Sequence, residues 1–207
     1  MPQRPHGRAW FFVELLLWAV GVACLGAWIA HGTVQEAGRR AAVQQFAKLR
    51  LPAGTPDQHL WSPERITAWL AAMKKPSPPP LGVLRVPKLG LEVAILEGTD
   101  DAILDRAVGH VEDTAAPGAG GNCAIAGHRD GFFRVLQQLG PGDVIEIETV
   151  RTVTRYRVER TWVVQPEEVS VLDPTPVASV TLVTCYPFYF VGSAPQRFIV
   201  RAVQLTS

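Results

Sequence analysis

The sequence predicts a small, mostly-β domain, either a barrel or a sandwich, behind an N-terminal membrane helix. Three observations lead to this prediction. Residues 10–30 are almost wholly apolar, with 18 apolar residues among the 21. A proline-rich spacer follows at 76–80. Beyond it, short apolar or alternating segments are separated by glycine and proline turns, with few helical patterns, which is typical of small barrels and sandwiches.

The apolar run 10–30 predicts a single transmembrane anchor that follows a short polar segment, residues 1–9. At about 1.5 Å per residue, a helix of this length spans the roughly 30 Å hydrocarbon core of a bilayer. Trp10 and Trp28 lie near its ends, where interfacial aromatic residues are common. A cleavable signal peptide is the alternative, but its apolar region is usually shorter. Basic residues lie on both sides of the run, so charge does not decide its orientation.

Residues 31–80 predict a stalk that separates the anchor from the β-rich domain. Helical patterns occur at 36–49 and again after Ser62, where an N-cap, a proline at the first helical position and an acidic first turn open a helix that ends near Lys75. The proline-rich spacer 76–80 favours an extended chain and marks the boundary of the domain 81–207.

The domain 81–207 reads mostly as strands. The strand-like segments are 82–87, 91–96, 122–126, 143–149, 152–164, 180–185 and 197–205. Helical spacing is present at 100–108 and 132–139. This domain carries 11 basic and 15 acidic residues, so it lacks the positive charge that nucleic-acid binding requires. The three cysteines of the chain are too few for a disulfide scaffold.

Three residues in this domain could carry chemistry. Cys185 ends a buried strand, and His128 directly follows another. Arg197 begins the last strand, and a long hairpin loop after Cys185 would place it opposite the cysteine. Each has a structural alternative: an inert buried thiol, a hydrogen-bonded structural histidine or a surface arginine.

Together these residues supply the parts of nucleophilic catalysis on a carbonyl. A thiol attacks as the thiolate, and a neighbouring imidazole can take its proton and later protonate the leaving amine. A guanidinium can stabilise the developing oxyanion. The sequence indicates no third residue that would orient the imidazole, as occurs in Cys-His-Asn peptidases.

The segments that hold these residues resemble the sortases, which are membrane-anchored cysteine transpeptidases. The matching stretches are GNCAIAGHR at 121–129, TLVTC at 181–185, and Arg197 with Phe198. Each contains one member of the family's His, Cys and Arg set, in the family's order. The resemblance covers essentially all of 81–207. The stretches 125–133 and 140–143 are most similar to class D or E, and the long N-terminal part resembles sortases of Gram-negative proteobacteria.

The resemblance implies a closed eight-stranded β-barrel. It also implies that Cys185 attacks the Thr–Gly bond of a Leu-Pro-X-Thr-Gly-like sorting signal on a surface protein, with His128 as acid and then base. Arg197 would hold the substrate and the oxyanion, with Thr184 and Tyr186 as further substrate-binding residues. An amine would resolve the thioacyl enzyme. The anchor would run from a cytoplasmic N-terminus to a domain on the extracytoplasmic side.

Metal and disulfide sites are alternatives that the sequence favours less. His110 and Cys123 could be drawn into a zinc site with His128 and Cys185, but the spacing matches no zinc pattern. Several acids could include calcium ligands, although no EF-hand spacing is present: Glu97, Asp100, Asp101, Glu112, Asp113, Glu167 and Glu168. We therefore expect no cofactor, with calcium as the open alternative. A Cys123–Cys185 disulfide also stays open at this stage.

Three functions remain in competition. The first is a sortase-type transpeptidase that transfers an acyl group to an amine. The second is a hydrolytic cysteine peptidase of the same fold, which the sequence cannot separate from the first because only the second nucleophile differs. The third is a non-catalytic anchored β-domain, against which the presence of Cys185, His128 and Arg197 argues.

Overall fold

The structure is a computed structural model that describes residues 12, 15–22, 24–26, 56, 58–59, 61–74, 76–189 and 194–206. The chain divides into two compact units, 1–44 and 45–207. In the first unit, the described residues of the apolar run are helical. Within the ranges just given, no helix combines the length and apolar character needed to cross a bilayer. The predicted anchor 10–30 is only partly described, and the predicted helix 36–49 lies outside the described residues.

The second unit is built around eight strands in one closed barrel, which confirms the architecture that the resemblance implied and excludes a sandwich. The strands are β1 (Gly82–Val86), β2 (Leu91–Glu97), β3 (Val108–His110), β4 (Asn122–Gly127), β5 (Val144–Glu148), β6 (Val153–Val164), β7 (Ser179–Tyr186) and β8 (Gln196–Gln204). Their order around the barrel is β1-β2-β3-β4-β7-β8-β6-β5, and an antiparallel β1–β5 pair closes it.

The core fills the interior of the barrel with apolar side chains from almost every strand. Strand β5 and the first half of β6 alternate buried and more exposed residues, as expected where one face of a sheet points inward. Among the largest fully buried side chains are Tyr156, Phe133, Leu84, Ile95, Ile125, Leu136, Ile147, Leu182 and Ile199. This packing holds the strand ends in fixed register, and those ends carry the candidate site.

Short helices flank the barrel. Helix α1 (Pro63–Met73) begins as predicted, with the Ser62 side chain accepting a hydrogen bond from the amide of Arg65. Helix α2 (Asp101–Leu104) is much shorter than the predicted 100–108. The prediction was wrong at its end because Val108–His110 pairs with both β2 and β4, and this pairing overrides helical spacing. A 3-10 helix occupies Phe132–Gln138.

Candidate active site

The strand register brings the three predicted residues together at one end of the barrel. Strands β4 and β7 are parallel neighbours, and Gly127 lies opposite Thr184. His128 and Cys185 each follow directly, so they come next to each other as well. Strand β8 runs antiparallel beside β7, with Arg197 directly opposite Cys185. Neighbouring strands are about 4.8 Å apart, and opposed residues share a face. The imidazole, the thiol and the guanidinium therefore belong to one patch of the barrel wall.

A buried hydrogen bond fixes this register beside the nucleophile. The hydroxyl of Thr184 donates to the carbonyl oxygen of Gly127 at 2.7 Å, and the side chain is 2% exposed. Thr184 thus faces the interior and links the two strands, while its role in substrate binding stays a prediction. Gly127 is needed because a Cβ there would lie 2.7 Å from the ring of Phe133.

The His128 imidazole lies near one carboxylate and feels the charges of several neighbours. Its Nε2 is 3.6 Å from Oδ1 of Asp105, at the end of α2. Burial lowers the pKa of His128, and the positive charge of Arg65 lowers it further, against the opposing effects of Asp130, Asp105 and Asp101. The imidazole is consequently neutral at lower pH than an ordinary histidine, which is the form that can accept a proton from a thiol.

Cys185 is half-buried, and an aromatic cluster packs on the opposite face of β7 and β8, the face that Thr184 shares. Cys185 is a free thiol. Tyr186 stacks on Phe198 with 6.3 Å between ring centroids, and Phe188 packs edge-on against Phe198 at 5.2 Å. The guanidinium of Arg197 donates to the backbone carbonyls of Ala194 and Gln196, at 3.3 and 3.0 Å. These bonds hold the Arg197 side chain against the backbone at the start of β8, at the strand position opposite Cys185.

Comparison with known proteins is consistent with this arrangement. A family model described as the sortase domain matches residues 84–205, which is more than half of the chain. The match begins within β1 and includes the other seven strands.

The chain belongs to the sortase family.

The chain is also similar in sequence and in structure to individual sortases. The chain is 34% identical to Sortase D of Bacillus subtilis over 126 residues, which cover 60% of this chain and 64% of that protein. The crystal structure of Sortase E1 from Streptomyces coelicolor with a tripeptide in its active site is 34% identical, with a TM-score of 0.55, and covers 61% of this chain and 88% of that one. A Clostridium perfringens Sortase D5 transpeptidase is 25% identical, with a TM-score of 0.59, over 81% and 98% of the two chains. The chain thus spans less than two thirds of the length of the curated sortase of Bacillus.

His110 and Cys123, which the sequence offered as metal or disulfide candidates, lie away from this site. His110 is buried, with Nδ1 3.0 Å from Oε1 of Glu97 and Nε2 3.0 Å from the carbonyl of Ala115. It therefore has a structural position, and the described residues bring together no group of three or more His, Cys, Asp or Glu side chains able to hold a metal ion.

The structure excludes the disulfide that the sequence left open. Cys123 lies opposite Val180, five residues along β7 from Cys185, which corresponds to about 16 Å at the rise of a strand. A disulfide needs Cα atoms about 4.4–6.8 Å apart. Both cysteines are free, and burial raises the pKa of the Cys123 thiol to about 12, with Glu97 adding to the effect. Cys123 is an inert part of the core.

Sequence reasoning missed the partners of the histidine. Asp105 carries no motif and lies 23 residues before His128, inside what read as a longer helix. Arg65 and Trp61 belong to the predicted stalk, yet both bind Asp130, two residues after His128. No local pattern indicates these contacts. The one available signal was that Trp61 and Arg65 belong to the long N-terminal part, which resembles sortases of Gram-negative proteobacteria.

Proposed function

We propose that the protein is a sortase-type cysteine transpeptidase, which cleaves a Leu-Pro-X-Thr-Gly-like sorting signal and transfers the acyl group to an amine. The observation that carries the proposal is the register of β4, β7 and β8, which aligns His128, Cys185 and Arg197 on neighbouring strands. Membership of the sortase family supports it. The enzyme would thereby anchor or link surface proteins.

The first half-reaction forms a thioester. The Cys185 thiol gives its proton to the neutral His128 imidazole, and the sulfur forms a bond to the carbonyl carbon of the threonine. The guanidinium of Arg197 stabilises the oxyanion of the tetrahedral intermediate. When the intermediate collapses, the Thr–Gly carbon–nitrogen bond breaks, and the imidazolium protonates the leaving amine. The nearby Asp105 carboxylate stabilises the imidazolium while it exists.

The second half-reaction reverses these roles. An amine attacks the thioester carbon and gives a proton to His128, the new amide bond forms as the carbon–sulfur bond breaks, and the imidazolium returns the proton to the Cys185 sulfur. If water replaces the amine, the same steps produce hydrolysis, which is the alternative function. These steps use a thiol, an imidazole and a guanidinium, which already supply the nucleophile, the proton carrier and the oxyanion partner. We therefore propose that the reaction needs neither calcium nor another cofactor.

The anchor belongs to the same proposal. The apolar run 10–30 would cross the cytoplasmic membrane once and contact lipid, with residues 1–9 inside and the barrel on the extracytoplasmic side. Sorting signals on exported proteins would then reach Cys185. A reporter that is active only outside the cytoplasm, fused after Ser207, should be active in cells. An inactive reporter with normal expression would contradict this orientation.

The activity is tested by mass spectrometry on the full chain in a mild detergent. The chain is mixed with Leu-Pro-X-Thr-Gly, -Ala and -Ser peptides and a mixture of amines, with and without EDTA, and Cys185→Ala serves as the inactive control. We expect a Cys185-dependent exchange product and a trapped thioester, both unaffected by EDTA. Cleavage without exchange would favour the hydrolytic peptidase. Absence of any adduct on a reduced Cys185 would overturn the proposal.

A further inference from the structure

We propose that Asp105 and Arg65 are positioning residues for the His128 imidazole. Helix α1, which carries Arg65, is on this view a part of the catalytic centre and not only a stalk. The inference rests on the proposed function, in which His128 carries the proton between the thiol and the leaving amine. It depends on the contact of Asp105 with the imidazole and on the contacts of α1 with the turn that follows His128.

The α2 side supplies a carboxylate. Oδ1 of Asp105 is 3.6 Å from Nε2 of His128, and both side chains are about three-quarters buried, with 28% and 26% exposure. This distance is too long for a strong hydrogen bond to a neutral ring and suits an ion pair that tightens when the ring is protonated. Asp105 therefore stabilises the imidazolium and favours a ring orientation with Nε2 toward α2.

The α1 side holds the turn that follows His128. The guanidinium of Arg65 forms an ion pair and hydrogen bond with the carboxylate of Asp130, and the indole of Trp61 donates to the Asp130 carbonyl at 2.5 Å. The Arg65 guanidinium lies 4.5 Å from the centroid of the Trp61 ring. In the same turn, the amide of Gly131 donates to the carbonyl of His128 at 3.1 Å. The beginning of α1 is thus bound to the turn that sets the backbone of His128.

The far end of α1 is bound to the neighbour of Asp105. The guanidinium of Arg106 donates to the carbonyl of Ala72, in the last turn of α1, and to that of Pro76 at 3.1 Å. Eleven residues of helix are about 16 Å long, so α1 spans the distance between the two loops. One loop presents Asp105 to the imidazole and the other carries His128. A rigid element joined to both fixes the separation of the carboxylate and the ring.

The charges around His128 allow a positioning role to be distinguished from simple packing, through the pKa of the imidazole. Arg65 from α1 is positive, whereas Asp101 and Asp105 from α2 and Asp130 from its own turn are negative. Loss of the Arg65 charge should therefore raise the pKa of His128, and loss of the Asp105 charge should lower it. A substitution that merely loosens the site would not move the pKa in opposite directions for the two variants.

The test is a histidine titration by NMR on the full chain in detergent, with isotope-labelled histidine and His128→Gln to assign the signal. We compare Arg65→Met and Asp105→Asn with Arg65→Lys, which keeps the charge. The control is Arg155→Gln on β6. Val164 of this strand pairs with Arg197, and Arg155 lies nine residues before Val164, which is about 30 Å along the strand. We expect the titration to move up in Arg65→Met and down in Asp105→Asn, and to stay in place in the control.

Kinetics on the same variants complete the test. We expect kcat to fall about tenfold or more in Arg65→Met and Asp105→Asn with little change in KM, and partial recovery in Arg65→Lys. Titrations that stay in place or move in the same direction would overturn the inference, as would a gain in activity in Arg65→Met, which would make α1 an obstructing lid. If the unmodified chain forms no product, the proposed function fails, but the titration still decides the placement of Asp105 and Arg65.

Discussion

Replacing Thr184 with valine tests the hydrogen bond that ties β7 to β4 beside the nucleophile. Valine has nearly the same shape but lacks the hydroxyl that donates to the Gly127 carbonyl at 2.7 Å. Because the threonine is 2% exposed, water cannot replace this donor. Loss of a buried partner lowers the free energy of unfolding by about 1–3 kcal/mol. For a domain of this size, each kcal/mol lowers Tm by about 2–4 °C.

The same substitution should affect catalysis, since the bond sets the distance between the strand ends that carry His128 and Cys185. We expect kcat/KM for peptide exchange to fall about tenfold or more, because small misplacements of reacting groups are costly. Thr181→Val is the matched control: its hydroxyl donates to Oδ1 of Asn122 at 2.6 Å, buried on the same strand but further from the site. Calorimetry and exchange kinetics measure both variants. If both lose stability equally and keep full kcat/KM, the reasoning is refuted.

Three further predictions follow from the site. Gly127→Ala places a Cβ 2.7 Å from the Phe133 ring and should lower the free energy of unfolding by about 1–3 kcal/mol, whereas an unchanged thermal transition would contradict this close contact. In the native chain, iodoacetamide should modify Cys185 but not Cys123, whose burial raises its thiol pKa to about 12; peptide mapping that finds Cys123 modified would contradict its burial. The acid limb of kcat/KM should lie below pH of about 6.5, since burial lowers the pKa of His128 and the neutral imidazole is the base; a midpoint above that value would argue against this role.

The sequence predicted most of the strands and the meeting of His128, Cys185 and Arg197 on neighbouring strands. Alternation and β-branched runs identified β5, β6 and β8, because a half-buried strand repeats every two residues. The position of Arg197 opposite Cys185 followed from the length of a single hairpin loop and is confirmed by the register. The closure of the sheet into a barrel came from the resemblance, since no local pattern distinguishes a barrel from a sandwich.

Contacts between distant segments could not be predicted from local patterns. Strand β3 is three residues long, and its pairing with β2 and β4 outweighs the helical spacing of the residues before it. The contacts of Trp61 and Arg65 with Asp130 join residues 69 and 65 positions apart. Such contacts depend on where α1 packs, and a proline-rich spacer at 76–80 that predicts an extended chain does not indicate this position. In the structure, residues 45–207 form one compact unit.

The parallel pairing of β4 with β7 also determines at what stage of folding Cys185 comes to lie beside His128. The bond between Thr184 and Gly127 joins residues 57 positions apart, and the intervening chain must itself form β5 and β6. Non-local pairings of this kind form slowly, because the entropy of closing a long loop must be overcome first. A ribosome-bound chain that has completed only β6 therefore contains His128 without Cys185 beside it. Under the proposed mechanism, the three groups come together only with the last two strands, so a chain arrested before β7 carries no assembled active site.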